Sequence, residues 1–337
     1  MSNEPAPYSD PDCAVNTIRS LSSDYVANLL SILPNMQPPA ALTVDSIIHR
    51  CSDPIPGENL QHALWAEMIR RQHIVLKSSF NLEDSARLLS CATTNSCSAF
   101  IVLPHPHRRT VLDPTSWRYA IALRLGLGIF TGTNKCPVCL RRSPRPAPDL
   151  DSIGRHALLC LFEDGITRRH NGIRDFLCYR ILKPLGLLVH REHELPRLSQ
   201  GPSDLPAPLR LDLFLPPAAS LIDVAQGIDV TIAHPQTAAH VADASRSGGA
   251  VATHREDGKH QHYDRICRAN NIKLNPIGID VYGSFGRDAT EFFKRLSIFA
   301  SQRHGSLPHE EEYRLYQKVT VALHRLQGRM LSARHVV

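Results

Sequence analysis

The sequence contains no apolar run of about 18 residues, the length that a membrane-spanning helix needs, so no membrane span is expected. Its start, MSNEPAPYSD, lacks the basic and then apolar pattern of a secretion signal, so secretion is not expected either. Nine cysteines in such a chain are expected to be reduced thiols or metal ligands rather than a disulfide framework. No internal repeat is evident.

Neither charge sign dominates the 337 residues. Lys and Arg number 38 against 32 Asp and Glu, and the net charge of +6 favours a polyanionic partner only mildly. A hydrophobic fraction of 42% argues against wholesale disorder, whereas 25 prolines indicate long irregular stretches.

The amino-terminal third of the chain has two predicted parts. Residues 1–40 are polar and proline-rich, which predicts a mobile tail, and residues 41–130 have helical spacing. Within the helical part, Asn81 is a candidate N-cap. Asp113 or Thr115 is the candidate cap of a second helix that Pro114 opens.

From residue 165 onward, helical and strand patterns alternate. ITRRHNGIRDFLCYRILKPLG predicts an amphipathic helix, and LLVHREHEL, PLRLDLFLP, GIDVTIAHP and IKLNPIGIDV predict short strands. We therefore predict an α/β fold with a mixed sheet flanked by helices over residues 165–305. A small zinc-binding segment at 131–164 precedes it, and a C-terminal helix lies within 306–337.

A cluster of cysteine and histidine residues has the spacing of a zinc site. Cys136 and Cys139 form a CxxC turn, and His156 and Cys160 follow four residues apart. Three thiolates and one imidazole complete a tetrahedral Zn²⁺ site with no open position, which predicts a structural ion. The alternative is that these residues are unrelated buried thiols.

Two acidic residues lie within predicted strands. Asp212 is in RLDLFL and Asp229 is in GIDVTI, and both have apolar neighbours. Acids in such surroundings are costly unless they bind something, and carboxylate oxygens suit Mg²⁺. The pair predicts a metal site beside a scissile phosphate. Acids at strand edges or turns without catalytic function are an equally good interpretation of this pattern alone.

Further candidate residues flank these acids. Lys259 and His262 share a face of the helix after the second acidic strand, where a cation would stabilise charge on a phosphate. Glu192 and Glu194 alternate in a strand upstream, and one of them is a candidate for an additional metal contact.

The order of motifs resembles one known family. CPVC, GRHALLC, RRHNGIRDFL, LRLDLFLP, IDVTIAHP, GKHQHYDRIC and NPIGIDVYGSFG follow one another over roughly residues 110–305. This arrangement resembles the C-terminal part of site-specific non-LTR retrotransposon proteins. In those proteins a Cys-Cys-His-Cys zinc motif precedes a restriction-like endonuclease of the PD-(D/E)xK superfamily.

The resemblance implies a Mg²⁺-dependent enzyme that nicks DNA by phosphodiester hydrolysis, in the nucleus, with DNA and element RNA as partners. It implies Asp212 and Asp229 as the catalytic acids and Lys259 as the displaced lysine, with His262 at a second basic position. Thr231 stands where the superfamily usually has its lysine. The chain has no room for a polymerase and lacks a YxDD signature, which implies a fragment of a larger element or a domesticated remnant.

Two alternatives to an active enzyme remain open at this point. One is a module that binds nucleic acid through the zinc segment and nearby arginines while its nuclease centre is inactive. The other is a non-functional remnant that retains only a folded core. The arginines expected to contact phosphates are Arg141, Arg142, Arg145, Arg168, Arg169 and Arg174.

Overall fold

The structure is a computed structural model that describes residues 74–75, 78–93, 100–101, 111–130, 135–142, 146–195 and 209–335. The chain forms two compact units, residues 1–79 and 80–337, and the second contains nearly all of the described residues. The predicted tail at 1–40 lies outside them. Within these ranges, no helix combines the length and the apolar character that crossing a bilayer requires.

The helices before the sheet begin where their capping residues predict. Helix α1 (Leu82–Ala92) has Asn81 as its N-cap, whose side chain accepts the Asp84 N–H at 2.8 Å. Helix α2 (Pro114–Leu125) begins after Asp113, whose side chain accepts the Ser116 N–H at 2.9 Å. Asp113 rather than Thr115 is therefore the cap of α2.

The remaining elements alternate between helix and strand. In chain order, they are α3 (Pro137–Arg142), α4 (Arg155–Leu159), α5 (Gly165–Phe176), β1 (His190–Glu194), β2 (Arg210–Leu215), β3 (Ala225–Ala233), α6 (Val241–Ala244), α7 (Ala250–Ala269), β4 (Ile272–Asp280), α8 (Arg287–His304) and α9 (Pro308–Ser332). The predicted α/β class is confirmed.

The four strands form one mixed sheet in the order β1-β2-β3-β4. β1 with β2 and β2 with β3 are antiparallel, whereas β3 and β4 are parallel and are joined through α6 and α7. A parallel pair needs such a crossover, because its second strand must start again at the same end of the sheet.

Helices cover both faces of this sheet. On one face, Leu213, Ile228 and Ile277 pack with buried side chains of α5, α8 and α9. On the other face, Ala225, Ile272 and Leu274 pack with Tyr263, Ile266 and Cys267 of α7. Burying both faces explains why β3 and β4 are apolar along most of their length.

Two helices differ from their predicted extent. The helix predicted over residues 166–186 is α-helical only to Phe176 and continues as a π-helix over Leu177–Leu182 and a 3₁₀ turn over Lys183–Leu185. Residues 244–250 are polar and glycine-rich, which predicts a loop followed by a helix near 255–270, but α7 already begins at Ala250, because Gly249 adopts φ +77° and ends the loop.

Candidate functional site

Cys136, Cys139, His156 and Cys160 converge as their spacing predicts. One ligand atom from each lies within 4.8 Å of the ligand atoms of the others. Sγ of Cys139 lies 3.4 Å from Nε2 of His156 and 3.6 Å from Sγ of Cys160. Ligands about 2.0–2.3 Å from one tetrahedral ion lie roughly 3.3–3.8 Å apart, so the two distances from Cys139 match those of a zinc site.

Local structure holds the second half of this cluster in place. The Asp151 carboxylate accepts the backbone N–H groups of Arg155 and His156 at 2.7 and 2.6 Å, which fixes the start of α4. Gly154 adopts φ +81°, and a Cβ there would lie 2.9 Å from Leu331 of α9. The segment that carries this cluster is thus packed directly against the last helix.

The protonation chemistry of the cluster also suits a bound cation. Burial raises the pKa of the Cys139 thiol to about 12, because a thiolate without a counter-charge is unfavourable there. Burial lowers the pKa of His156, which favours the neutral imidazole that a metal needs. The donor set therefore fits a metal ion such as Zn²⁺.

Asp212 and Asp229 lie on neighbouring antiparallel strands. Leu213 of β2 pairs with Ile228 of β3, and Asp212 and Asp229 are the next residues along each strand beyond that pair. The Val230 N–H donates to Oδ2 of Asp212 at 2.7 Å, which ties this carboxylate to β3. The structure thus brings the two predicted acids to the same junction of the sheet.

The Asp229 carboxylate is almost fully buried, at 3% exposure, and is paired with Lys259. Nζ of Lys259 on α7 lies 2.6 Å from Oδ1 of Asp229. Burial raises the pKa of Asp229, and repulsion from the nearby Asp212 charge raises it further, while Lys259 acts in the opposite direction. The lysine on the helix after the second strand is therefore close to the predicted acidic site.

His170 of α5 is a further residue of this site, which the sequence pattern did not single out. Its Nε2 lies 3.0 Å from Oδ2 of Asp212 and 3.0 Å from the Val230 carbonyl oxygen. Both neighbours are acceptors, so Nε2 carries a proton. The hydrogen bond to Asp212 raises the pKa of His170 despite its burial.

Glu192, predicted as an additional metal contact, is held by arginines. It lies between the pairs Arg191–Leu213 and His193–Leu211, hence opposite Asp212. Oε1 of Glu192 contacts Arg174, and Oε2 lies 2.7 Å from Nε of Arg210. These two ion pairs direct both carboxylate oxygens toward guanidinium groups.

The other predicted residues lie at the margin of the site. His262 is exposed, and its ring lies edge-on to Tyr263 at 4.7 Å, so nothing places it on either acid. Glu194 is exposed near the end of β1. The next residue, Tyr263, is on the buried side of α7, so His262 is turned about 100° away from that side.

The arginines predicted to contact phosphates separate into two groups. Arg141, Arg142 and Arg168 are exposed, whereas Arg145 lies outside the described residues. Arg169 and Arg174 are buried, at 2% and 8% exposure, so their inclusion in a surface patch was wrong. Arg169 lies four residues before the buried Ile173 and Arg174 directly follows it, so each is on a side of α5 that packing covers.

Glu256 is a buried acid that the sequence interpretation overlooked. It is completely buried, and its carboxylate accepts the N–H groups of Gly278, Asp288 and Ala289 at 2.9–3.0 Å. It thereby caps α8 from α7. Burial raises the pKa of Glu256 to about 7. The sequence did contain one indication of this burial: Glu256 is four residues after the apolar Ala252, and residues at that spacing share a face of a helix.

Comparisons with known proteins identify no family for this chain. No protein-family model matches it, and no curated protein has significant sequence similarity to it.

Proposed function

We propose that this protein is a retroelement-derived, Mg²⁺-dependent DNA endonuclease that nicks DNA by hydrolysis of a phosphodiester. The observation that carries the proposal is the junction of β2 and β3, where Asp212 and Asp229 are neighbours and Lys259 contacts Asp229. The mixed sheet flanked by helices supports a restriction-endonuclease-like core. The motif order from CPVC to NPIGIDVYGSFG supports the retroelement origin.

The two acids have the donor chemistry that Mg²⁺ prefers. His170 and Val230 occupy Oδ2 of Asp212, and Lys259 occupies Oδ1 of Asp229, so we assign the other oxygen of each carboxylate to the cation. When bound, Mg²⁺ would polarise a phosphoryl oxygen and lower the pKa of an attacking water. Charge repulsion between the two carboxylates supports this assignment, because a divalent cation between them would relieve it.

The residues around the acids have distinct roles in this proposal. His170 holds Asp212 in one orientation from α5, while the Val230 N–H holds the same oxygen from β3. Lys259, with a side chain 31% exposed, is accessible enough to contact a phosphate and offset the charge that develops on it. Glu192 on β1 binds Arg174 of α5 and Arg210 of β2 and has no direct contact with the reaction.

The zinc segment has a supporting function in this account. A Cys3His centre has no open coordination position, so Zn²⁺ there would be structural. Arg141 and Arg142 extend α3 to the surface beside this centre, and Arg168 is exposed at the start of α5. We assign these arginines to non-specific contacts with DNA phosphates, in a nuclear protein whose partners are DNA and element RNA.

A specific observation favours a second candidate, an inactive protein that binds nucleic acid. Asp229 is already paired with Lys259, and Oδ2 of Asp212 already contacts His170 and the Val230 N–H, so both carboxylates have partners within the chain. Thr231 also occupies the usual lysine position of the superfamily. A centre that no longer binds a cation would be expected to have such internal pairs.

A nicking assay on supercoiled plasmid distinguishes these candidates. The full chain is incubated with Mg²⁺ or Mn²⁺, beside Asp229→Ala and the control Asp243→Ala, which removes an exposed acid on α6. Nicking that only Asp229→Ala abolishes supports the endonuclease. DNA binding by the wild type without nicking supports the inactive module. A chain that neither nicks nor binds DNA contradicts both.

A further inference from the structure

Arg334 is a buried cation next to the Cys3His cluster. It follows the end of α9 and is only 3% exposed. Nη1 donates to the Met330 carbonyl oxygen at 3.3 Å, whereas Nε and Nη2 are buried without a hydrogen-bond acceptor. Among the described residues, Arg334 forms no ion pair with a carboxylate. A guanidinium in this state is costly unless another negative charge lies nearby.

The cysteine cluster is the candidate source of this negative charge, because cysteines that bind a metal do so as thiolates. Met330 and Leu331 pack in the same cluster of buried side chains as Cys136, Cys139 and Cys160. Burial acts to raise the pKa of Cys160, but the Phe162 backbone N–H and then the Arg334 guanidinium outweigh it and lower this pKa. Arg334 binds the carbonyl oxygen of Met330, a residue of this cluster, so the buried guanidinium lies beside the candidate ligands.

Other charged groups near the cluster are already paired. The Asp151 carboxylate accepts two backbone N–H groups of α4. Arg155 donates to both oxygens of Glu83 at 2.7 Å, so its charge is compensated away from the cysteines. Arg334 is thus a buried cation beside the cysteines that has no carboxylate partner among the described residues.

The charge of the loaded centre explains this arrangement. Three thiolates, one neutral imidazole and one divalent zinc ion carry one net negative charge. In a buried position, one neighbouring guanidinium neutralises that charge. Without the metal, Nε and Nη2 of the buried Arg334 have no hydrogen-bond acceptor among the described residues.

We propose that Arg334 is the counter-charge of a metal-loaded Cys3His centre, through which metal binding secures the end of α9 against the zinc segment. Arg334 is a positioning residue, because it acts on the ligand Cys160 and not on the metal. Groups that orient ligands in this way typically change metal affinity by about 10- to 100-fold when they are removed. The proposal is independent of any nuclease activity.

The test measures zinc affinity of the full-length protein by competition with a chromophoric chelator. Arg334→Met removes the charge, Arg334→Gln retains hydrogen-bond donors without it, and Arg334→Lys retains the charge. Arg329→Met is the matched control, since Arg329 is an exposed cation on the same helix. Substitution with Co²⁺ gives a second readout, the thiolate-to-cobalt charge-transfer absorption, and melting with and without chelator gives a third.

We expect Arg334→Met to weaken zinc binding by about tenfold or more. Arg334→Gln should also weaken it, whereas Arg334→Lys and Arg329→Met should bind close to the wild type. The stability loss in Arg334→Met should be larger with metal than with chelator. If Arg334→Met does not fold, the comparison of Arg334→Gln with Arg334→Lys decides.

Three results would overturn the proposal. The first is a wild-type protein that binds neither Zn²⁺ nor Co²⁺. The second is unchanged metal affinity in Arg334→Gln. The third is an equal loss of melting temperature in Arg334→Met with and without metal, which would mean that Arg334 only packs against α9 through the Met330 carbonyl.

Discussion

His170 on α5 and Asp212 on β2 are joined by a 3.0 Å contact between Nε2 and Oδ2, although 42 residues separate them in the chain. The Val230 N–H binds the same oxygen, so helix and strand together fix one side of this carboxylate. A catalytic acid whose orientation is fixed before substrate binds loses less free energy to reorganisation during the reaction. This contact is therefore central to the proposed nuclease.

We expect His170→Ala to destabilise the protein by about 1–3 kcal/mol, because Oδ2 of Asp212 loses a charge-assisted partner. Nicking should fall by roughly tenfold or more, since the orientation of Asp212 is lost. Urea denaturation and initial nicking rates measure the two effects. His170→Gln retains an N–H donor and should recover part of the nicking rate. Full nicking activity in His170→Ala would exclude an orienting role.

Glu192→Gln should act mainly on stability. The substitution removes the negative charge that pairs with the buried Arg174 and with Arg210, so we expect a loss of about 1–3 kcal/mol. Because the Glu192 oxygens face arginines, nicking should change less than in Asp212→Asn, which serves as the comparison. An equal loss of nicking activity in Glu192→Gln and Asp212→Asn would contradict this prediction and would support Glu192 as a metal ligand.

Glu256 should give the protein a pH-dependent stability. Its folded pKa, about 7, is above its ordinary value of 4.5, so the folded state binds more protons between these values. Its contribution to stability therefore decreases as pH rises from 4.5 to 7, by about 2–4 kcal/mol.

The measurement for Glu256 is urea denaturation of wild type and Glu256→Gln across this pH range. The Gln variant loses the titrating group, so the difference between the two proteins should favour the wild type more at pH 5 than at pH 7.5. A difference that is constant with pH would contradict the raised pKa of Glu256.

Removal of metal should destabilise the zinc segment and α9 together, because Cys136, Cys139 and Cys160 pack with Met330 and Leu331. We expect a zinc-loaded protein to lose about 5 °C in Tm after chelation, as roughly 3 kcal/mol would produce for a chain of this size. Cys139→Ser should have a similar Tm with or without chelator. Elemental analysis that finds no zinc in protein purified with Zn²⁺ would contradict this prediction.

Metal binding should also weaken as pH falls. Burial raises the pKa of Cys139 to about 12, so this thiol must release a proton when it binds a metal. Zinc affinity should therefore decrease steadily from pH 8 to pH 6, as chelator competition at each pH would show. An affinity that does not change with pH would exclude Cys139 as a ligand.

Several parts of this structure were predictable from the sequence because their determinants are local. The four zinc-type residues lie within 25 positions, so the spacing alone predicted their convergence. Asp212 and Asp229 were predicted on adjacent strands because short alternating runs flank them. The pairing of β2 with β3 confirms that the two residues are neighbours across these strands. Asp113 was recognisable as a cap because Pro114 follows it.

Other parts depend on packing that the sequence pattern does not specify. Helical periodicity shows which residues share a face of α5, but not that His170 meets the junction of β2 and β3. Arg169 was expected at the surface because of its charge, although its spacing from Ile173 was a signal of burial. The π-helix over Leu177–Leu182 has no signature in the residues themselves, since it accommodates tertiary contacts.

The most direct test of the proposed nuclease is the nicking rate of Asp212→Asn on supercoiled plasmid in Mg²⁺, measured beside wild type and Asp243→Asn. The variant keeps the size of the side chain and removes one charge from the junction of β2 and β3. We predict a rate at least about 1,000-fold below wild type, with Asp243→Asn unchanged. An Asp212→Asn protein that nicks at the wild-type rate would contradict the assignment of this junction as the catalytic centre.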